Sequence, residues 1–424
     1  MADSQPLPTR PTPAGDADVI ELGEWETSDR HVTLTAADRA LLESEVNSDK
    51  TRLHVHYDED GQAYFEARQF VGLIALPDGP TIQITPKAAG GNLLHLLRYS
   101  QGVDSQPIEE TASLKSSGSF VDALAALLTR ELTALRRRGL HKEYRRQQEA
   151  REHLRGRLHV HRQLQRQEPV ATRFESDYDA LTTDTIANQA ILYATTRLAQ
   201  LVTDPDLQAD LEWHQSWLQQ QITLTEIQPG DVERVELSRL NDDYADILQL
   251  IKPVLEGRFV ENLTVGTQAA FSLLVNMNTV FEQVVERAVT DLAAEHTNWS
   301  AAGQVRTTNL IHGTPQVRMY PDFLITQDDT PLIVGDAKWK TGSPKNADIY
   351  QLVAYTLAHD TPGLLVYPAQ NGSVTTTYEV DNQYPLHLIE LPTNYNADTY
   401  TDFTTNLTDT LHTAIQSAKS TVNG

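Results

Sequence analysis

The 424 residues suggest two or three domains at roughly 150 residues each, and a hydrophobic content of 40% supports globular cores. The absence of cysteine excludes disulfides, thiol catalysis and cysteine-ligated zinc or iron–sulfur centres. No apolar run of about 18 residues predicts a membrane span, and no basic-then-apolar leader predicts export, so a cytoplasmic protein with no membrane partner is expected. Thirty-four basic against 58 acidic residues give a net charge of −24.

In chain order, residues 1–17 carry Pro6, Pro8, Pro11 and Pro13 among small polar residues and read as a disordered tail. Strand patterns follow. Leu53, Val55 and Tyr57 alternate up to the turn signal Asp60-Gly61; Phe70 to Leu76 forms another run; Asp78-Gly79 turns it toward Ile82 and Ile84. A small barrel or curled sheet is expected over about residues 18–88. Asn92–Tyr99 reads as a short helix, and residues 102–118 as a serine-rich linker. Ser119 with Asp122 resembles a capping box. Phe120, Leu124, Leu127, Leu128, Leu132 and Leu135 then repeat at helical spacing.

Helices are predicted to continue, with breaks, to about residue 225, including Thr185–Leu201 and Pro205–Gln221, with a further one over Tyr244–Leu255. Ala269–Glu295 reads as one long helix. Strands are predicted at Gln304–Thr308, Pro315–Thr326 and Pro331–Ala337, a helix at Asp348–Ala358, and strands at Gly363–Tyr367, Thr375–Val380 and His387–Leu391. A final helix begins near residue 397. The expected fold class is α+β and multidomain: a β-rich N-terminal domain (18–100), a helical middle (118–260), an α/β domain (265–395) and a C-terminal helix (396–424).

The most informative stretch is Met319–Lys340. Asp322 ends one strand-like run. Asp336 and Lys338 lie two apart in the next, so they share a strand face. Two carboxylates and a lysine on adjacent strands suit a hard cation such as Mg²⁺, which takes oxygen ligands and leaves positions for water and phosphate. Such an ion polarises a phosphodiester, and a lysine stabilises the charge that develops.

Pro321-Asp322 followed by Asp336-Ala337-Lys338 is similar to the PD-(D/E)xK nuclease signature. Phe281-Glu282 lies on the helix ahead, where many such nucleases place a further acid; Glu286, one turn on, is an alternative. Gln351 and Tyr355 resemble the Q-x-x-x-Y feature of the RecB-like branch, supporting the site or touching DNA. The runs at residues 82–99, 154–164, 174–192 and 276–286 resemble, in order, the conserved segments of McrC-type subunits of McrBC 5-methylcytosine-directed restriction systems. The resemblance implies a restriction-endonuclease-like C-terminal domain. It implies Mg²⁺, with Mn²⁺ as a substitute, held by Asp322, Asp336 and Glu282, and Lys338 as the catalytic lysine. It also implies double-stranded DNA as substrate and a hexameric McrB-like AAA+ GTPase partner, stimulated by docking of the N-terminal part. Two other readings stay open: a RecB-like repair nuclease that acts alone, and a nuclease-dead adaptor that activates a GTPase.

The acidity departs from that family. With 9 Lys beside 25 Arg and many Asp and Thr, the composition predicts a halophile. At about 1 M salt a Debye length of about 3 Å screens self-repulsion. Against that background residues 130–166 hold 12 basic residues and four acids, a local charge of +8. Arg136, Arg137, Arg138, Arg145 and Arg146 are therefore candidate contacts for DNA or an acidic partner. His54, His56, His153, His159 and His161 read as strand-face or surface residues, and Trp213 and Trp217 as core packing. No P-loop motif is present, so nucleotide binding by that route is not expected.

Overall fold

The computed structural model describes residues 18–87, 92–102, 120–165, 172–235, 241, 244–256, 258–260, 270–303, 307–311, 317–370, 372, 374–380, 384–394, 397 and 399–422. The predicted tail, nearly all of the serine-rich linker, Ser119 and Arg166 lie outside the described residues. The chain divides into two compact units: Leu128–Glu256, and Met1–Leu127 together with Gly257–Gly424. The β-rich and α/β parts, expected as separate domains, thus belong to one unit.

The larger unit begins with strands β1 (Val19–Gly23), β2 (Leu53–Tyr57), β3 (Ala63–Ala67), β4 (Phe70–Ala75) and β5 (Thr81–Thr85). Helix α1 (Ala36–Leu41) starts at Thr35, which forms a capping box with Asp38. Alternation explains the burial. Ile20 and Leu22 of β1, Phe65 of β3 and Ile82 and Ile84 of β5 share one apolar cluster with Leu41, Leu42 and Val46. Each such side chain contributes about 1.5–3 kcal/mol by leaving water. Helix α2 (Leu93–Ser100) and the start of α3 (Phe120–Arg138) follow.

The smaller unit holds the rest of α3, then β6 (Glu143–Arg151), β7 (Arg157–Leu158), α4 (Val160–Gln165), β8 (Phe174–Thr182), α5 (Ile186–Leu201), α6 (Pro205–Gln219), α7 (Pro229–Val232) and α8 (Ala245–Glu256). Helices α5 and α6 lie where expected, but the helical reading of the stretch before them fails. β6 and β8 form a nine-residue antiparallel pair, with β7 on the other edge of β8. Helix formers such as Arg, Gln and Glu fill β6, so cross-strand pairing overrides local propensity. Pro253 is accommodated inside α8.

The larger unit resumes with β9 (Arg258–Val260) and β10 (Ala270–Asn276), then α9 (Met277–Ala294). The first part of the predicted helix from Ala269 is therefore strand, and the rest is helix. β10 pairs with β4 and β9, and the Asn276 side chain caps α9 by accepting from the Asn278 amide. The five-stranded sheet runs β1-β5-β4-β10-β9, so a boundary near residue 265 would cut between strands of one sheet. Strands β11 (Trp299–Gly303), β12 (Thr307–Ile311), β13 (Val317–Met319), β14 (Phe323–Gln327) and β15 (Thr330–Ala337) follow. Helix α10 (Asn346–His359) precedes β16 (Gly363–Pro368), β17 (Thr376–Val380) and β18 (Tyr384–Leu391), and α11 (Tyr400–Val422) comes last. The order β11-β14-β15-β16-β18-β17 makes a mixed sheet, with β15, β16 and β18 parallel. The architecture is mixed α+β.

Within the smaller unit, Asn188 is buried among polar groups that it satisfies. Its Nδ2 donates to the carbonyls of His141 (3.0 Å) and Thr183 (2.7 Å), and its Oδ1 accepts from the Tyr244 hydroxyl at 2.8 Å. Removing one partner of a buried hydrogen bond strands the other at about 1–3 kcal/mol. Asn188→Ala is expected to lower the unfolding free energy by about 2 kcal/mol or more in a denaturant titration. A change below about 0.5 kcal/mol would contradict this network.

Candidate functional site

The site grows from one hairpin. Asp328 and Asp329 both adopt left-handed φ angles of 50° and 63°, the geometry of a tight two-residue turn between β14 and β15. Asp tolerates that conformation better than most residues. The turn pairs Gln327 with Thr330, and a one-residue register shift between Ile325 and Thr326 then brings Phe323 opposite Gly335. One step further, Asp322 opposes Asp336. The Asp322 Oδ2 accepts from the Ala337 amide at 2.8 Å, which fixes the first carboxylate against the strand that carries the second. Gly335 is required by this packing, because a Cβ there would lie 2.0 Å from the Phe323 ring.

Asp336 is 1% exposed. Lys338 forms an ion pair with its Oδ2, yet that oxygen receives no hydrogen bond of ordinary geometry. Burial and the neighbouring Asp322 push the Asp336 carboxyl well above the usual carboxylate range. Burial works against the Lys338 ammonium, but Asp336 outweighs it, so the lysine sits above its ordinary range and stays charged.

Helix α9 supplies the next group. It buries Val280, Phe281, Val284 and Val285, which turns Glu282 toward the hairpin. Burial, reinforced by Asp322, raises the Glu282 carboxyl to about 7, against the opposing pull of Lys338. Glu282, Glu286, Thr279, Gln283 and Asp322 line a cavity of about 220 Å³. Glu286 fits because Gly303 of β11 has no side chain; a Cβ there would lie 1.8 Å from the Glu286 Oε1. Both candidate acids thus reach the cavity, and the charges of Asp322 and Lys338 bear on Glu282.

Gln351 and Tyr355 on α10 act together. Gln351 Nε2 donates to the Tyr355 hydroxyl at 2.7 Å, and that hydroxyl donates to the Tyr320 carbonyl at 3.0 Å. The pair clamps the backbone two residues before Asp322. Among the described residues, no three carboxylate or imidazole groups are gathered into a ready-made metal cage. Of the expected trio, Asp322 lies beside Asp336 and lines the cavity with Glu282, but the three carboxylates are not gathered into one group.

The arginines divide. Arg136, Arg137 and Arg138 end α3, where cations complement the helix dipole. Arg145 and Arg146 lie on β6 in the same unit. They are not one helix face. Arg146 is paired with Asp177. Arg136 stacks 3.8 Å over Trp213, which is 55% exposed, so that tryptophan is not the core residue expected. Two groups near the site escaped the sequence reading. Lys340 Nζ contacts both oxygens of buried Asp348, at 2.8 and 2.9 Å. Trp339 donates to Glu24 across 315 residues. Their only signal was adjacency to Lys338.

Residues 65–368 match the family described as McrBC 5-methylcytosine restriction system component. The chain belongs to this family. Among solved structures, the fold is similar to a chain of the half-complex from the tetradecameric assembly of Thermococcus gammatolerans McrB AAA+ hexamers with bound McrC. The TM-score is 0.59 at 17% identity, over 92% of this chain and 99% of that one. A chain of the Thermococcus gammatolerans McrBC complex also matches, with TM-score 0.41 and 20% identity over 66% of this chain and 89% of that one. Comparison with curated proteins gives no match. Among the described residues, no helix is long and apolar enough to cross a membrane.

The hairpin packing makes a direct prediction. Gly335→Ala should displace the Phe323 ring beside Asp322 and cost about 1–3 kcal/mol of stability. Thermal melting checks this, and an unchanged melting temperature would contradict the packing account.

Proposed function

We propose that this McrBC-family chain is the DNA endonuclease subunit of a modification-dependent restriction complex. The observation that carries the reading is that Asp322 lies beside Asp336 and Lys338 on a strand hairpin and shares a cavity with Glu282 of α9. The arrangement also fits the PD-(D/E)xK pattern and a restriction-endonuclease-like fold for the C-terminal part. The donor set suits Mg²⁺, with Mn²⁺ as a substitute. The groups are hard oxygens, and burial together with the neighbouring Asp322 pushes the Glu282 and Asp336 carboxyls upward. Mg²⁺ needs only one or two protein carboxylates beside water and phosphate, so a complete cage is not required.

Asp322 and Asp336 would hold the ion, with Glu282 as the further acid. When bound, it supplies Lewis-acid polarisation of a phosphodiester and acidification of water. Lys338 stabilises the negative charge that grows on the phosphate oxygens and orients the attacking water. Asp336 holds the Lys338 ammonium in place and keeps it protonated. Gln351 and Tyr355 fix the loop that carries Asp322. Hydrolysis in one step needs no nucleophilic side chain, which accords with the lack of cysteine.

The partner in this proposal is an McrB-like AAA+ GTPase hexamer, which this chain stimulates, and the substrate is double-stranded DNA. The similar Thermococcus gammatolerans chain comes from an assembly of McrB AAA+ hexamers with bound McrC, and the absence of a P-loop here suits a subunit that relies on a partner's NTPase. Docking by the N-terminal part, contacts from the α3 and β6 arginines, cytoplasmic residence and adaptation to high salt belong to the same proposal.

Asp336→Ala tests the site. Cleavage of modified DNA by the complex, with Mg²⁺ and GTP, is expected to fall by about a thousandfold or more, with the melting temperature held and GTPase stimulation retained. Wild-type cleavage by this variant would remove the nuclease reading and favour the adaptor.

A further inference from the structure

The two ends of the larger unit meet at a buried hydrogen bond beside the proposed catalytic lysine. Glu24 follows β1 and is 4% exposed. Its carboxylate accepts from the Trp339 indole N–H, at 3.1 Å to Oε1 and 2.9 Å to Oε2. The same Oε2 accepts from the Lys87 amide at 3.1 Å. Burial pushes the Glu24 carboxyl upward, and the Trp339 hydrogen bond pulls the other way. A buried carboxylate is costly wherever an apolar residue would pack as well, so packing alone does not account for a glutamate here.

Trp339 in turn touches both arms of the site. Its ring lies 5.4 Å from that of Phe281, the residue before Glu282. Lys338, the residue before it, still donates its amide to the Val366 carbonyl at 2.8 Å, which extends the strand ladder past Ala337. Successive side chains on such a strand leave on opposite sides, so Lys338 faces Asp336 while Trp339 faces Glu24. The chain then turns, with the Lys340 amide donating to the Lys338 carbonyl at 2.8 Å. The peptide that carries Lys338 is thus held from behind by an indole, and the indole by Glu24.

The far end of this link is backbone-strained. Trp25 has a left-handed φ of 67°, unusual for a bulky residue. That reversal turns Glu24 inward at the end of β1. The Trp25 ring itself is 48% exposed, with Arg68 and Lys87 cations at 5.3 and 5.7 Å from its centre.

We infer that Glu24 is a positioning residue for phosphodiester cleavage, acting through Trp339 to set the placement of Lys338. The inference rests on the nuclease reading above. Glu24 touches no reacting group. It restricts where the ammonium sits, and a displacement of about 1 Å at such a group costs up to about a hundredfold in rate.

The test compares wild type, Glu24→Ala, Glu24→Gln, Trp339→Phe and Asp336→Ala as full chains in the complex, cutting modified DNA with Mg²⁺ and GTP well below the melting temperature. Glutamine keeps a carbonyl oxygen for the Trp339 and Lys87 donors. Glu24→Ala and Trp339→Phe are expected to lose about tenfold or more in kcat, with KM for DNA within about threefold of wild type. Glu24→Gln should keep kcat within about threefold of wild type, and the double variant Glu24→Ala/Trp339→Phe should be no worse than either single one. Full cleavage by Glu24→Ala while Asp336→Ala is dead overturns the inference and leaves the nuclease reading standing. Loss of activity only in step with loss of the folded state, without rescue by Glu24→Gln, assigns Glu24 a structural role and overturns it as well. Cleavage by Asp336→Ala at the wild-type rate removes the nuclease reading and this inference with it.

Discussion

The register between β14 and β15 is the constraint on which the site depends. It places Asp322 opposite Asp336 and seats the Phe323 ring over the bare Cα of Gly335. A slip of one residue would turn every side chain of one strand to the other face. Asp336 and Lys338 would then turn together to the other face, away from Asp322. The two left-handed aspartates of the turn set the pairing beside it, the shift between Ile325 and Thr326 resets it by one residue, and the Asp322–Ala337 hydrogen bond holds it at the site end. The carboxylate–lysine geometry is therefore a property of backbone pairing, with side-chain packing as its support.

That hairpin is held from two further directions. Helix α9 buries an apolar stripe and offers Glu282 and Glu286 to the cavity. Helix α10 uses the Gln351–Tyr355 pair to grip the Tyr320 carbonyl. Both helices sit on elements that share a unit with the N-terminal strands, because β10 pairs with β4. Other links have the same character: Tyr99 donates to Asp291 at 2.6 Å, and Asn92 Nδ2 donates to the Thr393 carbonyl at 3.0 Å. The N-terminal sheet and the candidate site are thus parts of one folded body. This also explains why a fragment ending near residue 260 would lack a strand of its own sheet.

The candidate constellation was legible in the sequence because its parts are local. Asp336 and Lys338 are two residues apart, the hairpin turn is short, and Gln351 and Tyr355 are one helical turn apart. Strand alternation likewise exposed β2, β4 and β5. The failures share a cause in pairing between distant segments. Ala270–Asn276 is apolar enough for a helix face, and β4, some 200 residues away in the chain, is what makes it a strand. β6 carries helix-forming residues and becomes a strand through β8. Trp213 looked like core, but Arg136 caps it at the surface. The Glu24–Trp339 contact could not be read at all, since neither residue belongs to a motif.

The electrostatics unify the site. Burial, and then the charge of Asp322, raise Glu282 and Asp336, and the Lys338 ammonium offsets only part of this. A divalent cation would relieve the remainder, which is the central claim. Localised backbone scission by Fe²⁺ and ascorbate, with Mg²⁺ as competitor, tests it directly, since an iron ion at the site cuts the chain segments nearest to it. The account predicts scission near residues 282, 322 and 336, suppressed by Mg²⁺. Scission confined to other segments, or indifferent to Mg²⁺, would contradict it.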